Sequence, residues 1–271
     1  MTDQDFDFIR AVVRDRSAIA LEDGKQYLVE SRLEPIIRDL GLGSISDLVG
    51  LLRSPLSTVL QQRVVEAMVT TETMFFRDVL PFEMIRKVIL PDLVLRRAAE
   101  RRLNVWCAAC STGQEPYSFA ILIREYFPEL SAWEIKILAT DLSRDVLSRA
   151  REGVYKQAEV NRGLPASLLL KHFRQQGTSW KLHDDVRTMV DFQEFNLVRT
   201  WPPLPPMDLV FLRNVMIYFD VETKKAILGR MARVLRPDGY LLLGGAETTF
   251  NLDNSYRRLN ELKTGFYQVN R

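Results

Sequence analysis

Histidine and cysteine are nearly absent from this chain, with two of each among 271 residues, and that scarcity removes whole classes of chemistry. His172 and His183 leave little material for a zinc site or a Ser-His-Asp arrangement, both of which lean on imidazole. Cys107 and Cys110 are too few and too close together for a secreted disulfide framework. No apolar run approaches the roughly 18 residues of a membrane span. The opening stretch MTDQDFDF has neither the basic start nor the apolar centre of a signal peptide, so a cytoplasmic protein with no membrane insertion is expected. An excess of one charge is also lacking. Lys plus Arg total 37 against 35 Asp plus Glu, a formal +2, which exerts no general pull on nucleic acid or an anionic membrane.

What is present is a soluble composition, 46% hydrophobic and 27% charged, with length enough for two domains. From Thr2 to about Glu100 the apolar residues recur at three and four, as in Phe6, Ile9, Val13 and Leu48, Leu51, Leu52, which is the helical period. Thr2 or Asp3 is positioned to cap the first helix and Ser44 or Ser46 the run DLVGLL. Pro55 suits the first turn of STVLQQRVVEAM. Pro35, inside the periodic stretch KQYLVESRLEPIIRDLGLG, is expected to kink or split that helix at a cost of about 3 kcal/mol.

Beyond LVLRRAAERR the pattern changes. Short apolar strands (LNVWCAA, EIKILATD, MVDFQEFN, DLVFLRN, GYLLLGG, GFYQVN) alternate with helical runs (PYSFAILIREYF, SRDVLSRARE, ETKKAILGRMARVL). That alternation implies a parallel sheet with helices on both faces, an α/β doubly wound fold whose ligands bind beyond the C-terminal strand ends. Between Tyr155 and Val190 it is interrupted by PASLLLKHFRQQ, TSWKL, a polar HDD turn and VRTMV, read as a small inserted subdomain with a hairpin. The resulting division is a helical domain over 1–80, a linker helix over 81–100 and an α/β domain over 101–271, with the insertion at about 155–190. WPPLPP, at Trp201 to Pro206, reads as a stiff loop.

WCAACSTGQEPYS, Trp106 to Ser118, admits two chemistries. In a dithiol oxidoreductase the reactive cysteine lies where a helix N-terminus lowers its pKa. Here Gly113 and Pro116 start the helix later, leaving Cys107 in the strand and Cys110 in the loop. The small residues Ala108, Ala109, Ser111 and Gly113 instead let the backbone approach a ligand closely. Asp141 closes the next strand, where a doubly wound fold places an acceptor for ribose hydroxyls; the plain alternative is an N-cap over LSRDVL. EFN ends at Asn196, and FLRN ends with Arg213 and Asn214, an arginine that is costly after a buried strand unless paired or at a site mouth. Four strand ends, at Gly113, Asp141, Asn196 and Asn214, are therefore expected to converge on one pocket.

The motifs ETMFFRD, STGQEPYS, ATDLSRDVLSRAREGVY, FNL and FLRNVMIYFD together resemble the CheR-type chemotaxis receptor (protein-glutamate) O-methyltransferases, over nearly the whole chain. The resemblance implies an all-α N-terminal domain, a Rossmann-like class I methyltransferase sheet and an inserted β-subdomain. It implies S-adenosyl-L-methionine as methyl donor and S-adenosyl-L-homocysteine as product. Cofactor contacts carried over by resemblance fall on Thr73, Arg77, Glu115, Asp141, Asn196, Leu197, Arg213 and Asn214, and Thr71, Ser111 and Gly113 complete the candidate set. Thr71 stands where the family usually has Asn, Ala109 where it has Gly and Gln114 where it often has Glu. An alanine at 109 is tolerable if its φ is negative.

Methyl transfer to a carboxylate needs alignment with the sulfonium carbon and no general base, because a glutamate of ordinary pKa is already ionised at neutral pH. Arg77, as a carboxylate holder, and Tyr218, through its hydroxyl, are the catalytic candidates. Their bland readings are a structural ion pair and a packed aromatic. The resemblance further implies chemoreceptors as partners, met through their cytoplasmic helical region, with a receptor C-terminal peptide or a regulatory protein as further partner for the insertion. Arg32 and Arg38 are the candidate substrate-binding residues. Arg96, Arg97, Arg101 and Arg102 form a denser basic run, of the kind that usually marks a solvated helix face. The protein is expected to act as a monomer. Rival readings are a methyltransferase of RNA or a small molecule, and a non-catalytic S-adenosylmethionine sensor. A dehydrogenase is disfavoured by the missing glycine fingerprint.

Overall fold

The computed structural model describes residues 1–54 and 56–270; the expected role of Pro55 lies outside them. The chain divides into two compact units, one formed by Met1–Thr70 with Tyr218–Lys224 and the other by Thr71–Ile217 with Lys225–Arg271. The helical unit therefore closes at Thr70 rather than at 80.

The first unit contains α1 (Asp3–Ser17), α2 (Gln26–Asp39), α3 (Ile45–Leu52) and α4 (Thr58–Met68). Thr2 is the N-cap of α1 and Ser44 that of α3. Phe6, Ile9 and Val13 on α1 are buried, as are Val29, Leu33, Leu48, Leu52, Val64 and Val65, where α1 and α2 each pack on α3 and α4. Pro35 does not split α2, which runs unbroken from Gln26 to Asp39. Pro35 and Ser31, the residue four before it, are both exposed, so the Ser31 carbonyl that loses its helical partner is solvated and the expected penalty shrinks.

Asp5, although buried, accepts from the Thr2 backbone N–H (3.1 Å), the Thr2 hydroxyl (2.8 Å) and the Ser46 hydroxyl (2.7 Å), joining the start of α1 to α3. The Ser46 and Thr2 hydrogen bonds hold its carboxyl below the usual aspartate value. The stability this confers is fully present above the unfolded value of about 3.9 and is lost as pH falls through the lower folded value. Asp5→Asn is thus expected to cost about 1 kcal/mol at neutral pH. Urea midpoints of wild type and variant should converge below about pH 4; a pH-independent difference would contradict this role.

The second unit opens with α5 (Leu80–Met84), a π-helical turn Ile85–Ile89 and α6 (Leu90–Arg96). This is not a linker: Phe82, Ile85, Ile89, Leu90 and Leu93 are buried in the same core as the sheet residues Leu103, Val105 and Phe211. The π-turn sits next to Pro91, which has no N–H to give to the i−4 ladder.

Then follow β1 (Arg102–Ala108), α7 (Gln114–Tyr126), β2 (Glu134–Asp141), α8 (Arg144–Glu152), β3 (Val154–Lys156), α9 (Gln157–Val160), α10 (Ala166–His172), β4 (Phe173–Gln176), β5 (Ser179–Leu182), α11 (Asp184–Arg187), β6 (Val190–Glu194), β7 (Met207–Leu212), α12 (Val221–Val234), β8 (Leu235–Leu243), β9 (Tyr256–Arg258) and β10 (Phe266–Val269). The main sheet has the order β6-β2-β1-β7-β8-β10-β9. Its β6, β2, β1, β7 and β8 are parallel, and β10 pairs antiparallel with β8 on one side and β9 on the other. This is the expected doubly wound α/β fold. The insertion is a three-stranded antiparallel sheet, order β3-β5-β4. Its hairpin is β4–β5, so FRQQ leaves the helical run and HDD opens the short α11 instead of turning a hairpin.

No helix joins β6 to β7. One face of the sheet is covered there by Trp106, Phe195 and Trp201, with mutual ring centroids 5.2 to 5.5 Å apart in edge-on contacts. The Trp106 Nε1 donates to the Thr140 hydroxyl at 2.9 Å and the Trp201 Nε1 to the Leu197 carbonyl at 3.0 Å. Full burial of Trp106 and partial burial of Trp201, with both indole donors satisfied, explain how a Pro-rich loop replaces a helix.

Candidate active site

In the second unit the chain direction across the sheet reverses between β1, which leads to β2 on one side, and β7, which leads to β8 on the other. The crevice beyond the C-terminal ends of such strands is where open α/β sheets bind ligands. After β1 the backbone makes a tight turn in which Ala109 (φ 60°), Ser111 (φ 51°) and Gly113 (φ 92°) are left-handed. The Cys110 N–H donates to the Thr140 carbonyl at 2.9 Å and the Gly113 N–H to the Cys110 carbonyl at 3.1 Å.

The condition under which an alanine at 109 is tolerable, a negative φ, is not met. The turn needs the left-handed region, which costs an L-residue about 1–2 kcal/mol. Ala109→Gly should therefore raise stability, by about 0.5–1 kcal/mol once the extra chain entropy of glycine is deducted; a lower urea midpoint would contradict the strain. At Gly113 a Cβ would meet Ala150 Cβ, the Tyr117 ring and the Phe192 ring at 3.1–3.2 Å. Its observed contribution is the packing of the turn. Both thiols are buried, and burial pushes their pKa values well above the ordinary range, the opposite of an activated dithiol.

Asp141, at the end of β2 and 5% exposed, is not a helix cap; Ser143 caps α8. One Asp141 carboxylate oxygen accepts the Ser111 N–H at 2.8 Å and the other the Ser143 N–H at 3.1 Å. Its carbonyl accepts the Phe195 N–H at 2.9 Å, tying in the EFN strand end. At that end the Asn196 Oδ1 accepts the Val198 N–H at 3.0 Å, and Leu197 is buried with its carbonyl engaged by Trp201.

Segment 71–79 lies across the same edge. The Ser111 hydroxyl donates to the Thr71 carbonyl at 2.7 Å, and the Phe76 N–H to the Ser118 hydroxyl at 2.9 Å. The Phe75 ring packs edge-on against Tyr155 and Phe173 at 5.0 and 5.6 Å. Thr73 is half-buried in this segment. Phe76, Asp78 and Val79 have φ of 48°, 69° and 46°; for β-branched Val79 that is a strained geometry of the kind that collects at functional sites. Arg77 sits among them, half-buried, and among the described residues its guanidinium donates only to the Glu72 carbonyl, at 3.3 Å.

Arg213, buried at the end of β7, is the hub of this network. It donates to Glu115 at 2.9 Å, to Asp78 at 2.7 Å and to the Arg77 carbonyl at 3.0 Å, which relieves the cost of burying its charge. Burial raises the Glu115 pKa while the Arg213 charge opposes the rise. Hydrogen bonds therefore connect Asp78, the Arg77 carbonyl, Glu115 and Arg213 on one side and Thr71, Ser111 and Asp141 on the other, and the chain of segment 71–79 joins the two.

One residue of this edge escapes motif reading. Glu247, buried after β8, accepts four backbone N–H groups: Asn214 (2.7 Å), Val215 (2.9 Å), Met216 (2.8 Å) and Gly244 (2.7 Å). It fixes Asn214 at φ 58°. A Cβ at Gly244 would stand 2.7 Å from the Glu247 carboxylate and 2.9 Å from the Asn214 N–H nitrogen, so glycine is required there for close approach. The only trace in sequence is an acid shortly after a Gly-Gly pair.

Tyr218 and the substrate candidates belong to the helical unit. Arg32 is not free to meet a partner: it donates to the Met68 carbonyl, at the end of α4, and to the Thr70 hydroxyl at 3.1 Å. Arg38 is exposed and pairs with Glu34 at 2.7 Å. Positions 32 and 38 lie on different faces of α2, since six residues turn a helix through about 240°. The basic run of the second unit is not a patch either. Arg97 is buried against Asp208 (2.6 Å) and Asp238 (2.6 Å), Arg96 pairs with Asp92 (2.9 Å) and Arg102 with Glu134 (2.5 Å).

Residues 71–264 match the family described as CheR methyltransferase, SAM binding domain, and residues 4–69 match the CheR methyltransferase all-alpha domain. The chain belongs to the CheR methyltransferase family. The two matched segments meet where the first structural unit closes, after Thr70. Chemotaxis protein methyltransferase 1 of Pseudomonas aeruginosa is 38% identical over 93% of both chains. Cher2 of Pseudomonas putida, also a chemotaxis protein methyltransferase, has the same identity and coverage. The chemotaxis protein methyltransferase of Vibrio parahaemolyticus is 36% identical over 94% of this chain and 93% of its own. As a CheR-family enzyme the chain uses S-adenosyl-L-methionine.

The residues at the strand ends fit that molecule. Asn214 Oδ1 and Arg213 Nε are buried atoms with no hydrogen-bond partner among the described residues, which is costly in a finished interior. An acceptor and a donor are therefore left over beside the turn that Asp141 pins. A polar ligand with both hydroxyl and carboxylate groups meets those needs.

Proposed function

We propose that this chain transfers a methyl group from S-adenosyl-L-methionine to glutamate side chains in the helical cytoplasmic region of chemoreceptors, forming glutamyl methyl esters and S-adenosyl-L-homocysteine. The carrying observation is the single hydrogen-bonded edge formed by segment 71–79 and the ends of β1, β2 and β7. Among the described residues that edge contains no histidine and no metal-binding cluster. His172, 5% exposed, is bonded to Glu125 at 2.7 Å, joining the insertion to α7.

The donor supplies an electrophilic methyl when bound; this chain's residues hold and orient. Asp141 accepts ribose hydroxyls with the lone pairs that Ser111 and Ser143 leave, and Asn196 and Leu197 line the neighbouring strand end. Arg213, with Glu115 and Asp78 as counter-charges, stiffens the edge and keeps segment 71–79 in place. The Arg77 guanidinium, loosely held by one long bond, is available to a carboxylate. Tyr218 is half-buried in the first unit, and its hydroxyl is the group proposed to orient the attacking oxygen. The substrate carboxylate is already ionised at neutral pH, so no proton must be removed. What the site contributes is alignment and controlled desolvation of two opposite charges that cancel during transfer.

Arg38, exposed on α2, is the remaining candidate for meeting acidic receptor surface. No described helix is long and apolar enough to cross a membrane; the proposal takes the chain to be a cytoplasmic monomer acting on the cytoplasmic part of a receptor. The edge strand β4 offers a place for a receptor C-terminal peptide or a regulator to add a strand. Tyr218→Phe should lower kcat roughly tenfold or more, the range for loss of one positioned hydrogen bond, and leave KM for the methyl donor unchanged, measured on receptor cytoplasmic fragments. Unchanged kcat would remove Tyr218 from the reaction.

A further inference from the structure

Most arginines of the second unit are spent on carboxylates. Arg230 and Arg233, beside Trp201, are placed differently. Arg199, Thr200, Trp201, Arg230, Arg233 and Val234 line a surface hollow of about 390 Å³ with no carboxylate among them. Arg230 is held in place without an acid: its Nη1 donates to the Leu197 carbonyl at 3.0 Å and the Arg199 carbonyl at 2.6 Å, and its guanidinium lies 5.4 Å from the centre of the Trp201 ring. Arg233 follows three residues later on α12, which makes the two cations neighbours on the helix surface. Neither forms an ion pair among the described residues. Burial, and then the charge of Arg233, pull the Arg230 pKa down, so the arrangement works against its own charge.

We infer that this hollow is a binding site for a phosphate-bearing small molecule. The Arg233 fork and the donors of Arg230 left over from the two carbonyls, beside a hydroxyl, suit the oxygens of a phosphoryl group, and Trp201 with those carbonyls fixes the Arg230 guanidinium in advance. A compact hollow fits a small anion better than an extended acidic helix, which needs a strip of charge. The Leu197 carbonyl that receives Arg230 also receives Trp201 Nε1, so occupancy bears on the Asn196–Leu197 turn. That coupling rests on the cofactor role given to the turn above; the site itself does not.

The test is calorimetric titration of the whole chain with inorganic pyrophosphate and, separately, with adenosine diphosphate, at constant ionic strength. An acidic glutamate-rich peptide serves as a third arm. Saturable binding of pyrophosphate is expected, weakened tenfold or more in Arg233→Glu, whose exposed side chain leaves the fold intact by circular dichroism. Tighter binding of adenosine diphosphate would mark a nucleotide as the source of the phosphate, and equal binding a free phosphate. No saturable heat with either phosphate compound, equal binding by Arg233→Glu, or tighter binding of the peptide would each overturn the inference. A chain that binds pyrophosphate but not S-adenosylhomocysteine would sink the functional reading and leave this site standing.

Discussion

Asp141→Ala should weaken S-adenosylhomocysteine binding by roughly a hundredfold or more. Two charge-assisted hydrogen bonds to ribose hydroxyls are worth about 1.5–3 kcal/mol each, and about 2.7 kcal/mol is a hundredfold in Kd. The same substitution strips acceptors from the Ser111 and Ser143 N–H groups, so about 1–3 kcal/mol of stability for each buried donor is also at risk. Asp141→Asn separates the two effects. It keeps one carbonyl oxygen and the side-chain volume, so it should retain more of the fold while still losing most affinity. Calorimetry and thermal melts on both variants measure this. Asparagine binding the product as tightly as wild type would show that the carboxylate is only a structural fastener.

Glu247→Ala is expected to have the largest effect on stability. The substitution leaves four N–H groups, two buried and two half-buried, without their acceptor. At about 1–3 kcal/mol for each unsatisfied group, and allowing for water reaching some of them, the loss should exceed about 3 kcal/mol. Glu247→Gln should do little better, because an amide presents N–H donors to two of the four N–H groups that the second oxygen now accepts. Affinity for S-adenosylhomocysteine should fall with it, since Asn214 owes its left-handed backbone to this clamp. A glutamine variant with wild-type melting and affinity would refute the clamp.

How much of this was legible beforehand follows from the range over which each feature is determined. The helical unit and the alternating strands announce themselves in apolar period, because each pattern is set by one element's own buried face. The ends of β1, β2 and β7 were legible for the same reason: small or polar residues directly after a buried strand are local signals. Long-range commitments were not. Arg32 reads as surface charge until the end of α4 is found beneath it, and Arg97 reads as part of a basic run until Asp208 and Asp238 arrive from more than a hundred residues away. Pro35 looked disruptive because sequence does not say which carbonyl faces water. Ala109 looked harmless because the sign of φ is a property of the whole turn. A boundary at 80 puts segment 71–79 in the helical half, yet its Phe75 and Phe76 are held by Ser118, Tyr155 and Phe173, none of which adjoins it in sequence.

The central claim is that one hydrogen-bonded edge presents a methyl donor to an acidic side chain with no base to assist. Its most direct test is incubation of the chain with methyl-labelled S-adenosyl-L-methionine and receptor cytoplasmic fragments, followed by mild alkali. Label transferred to the receptor and released as volatile methanol is the expected result, since a carboxylate nucleophile yields an ester. Label that survives alkali, or no transfer from a chain that binds the donor, would contradict it.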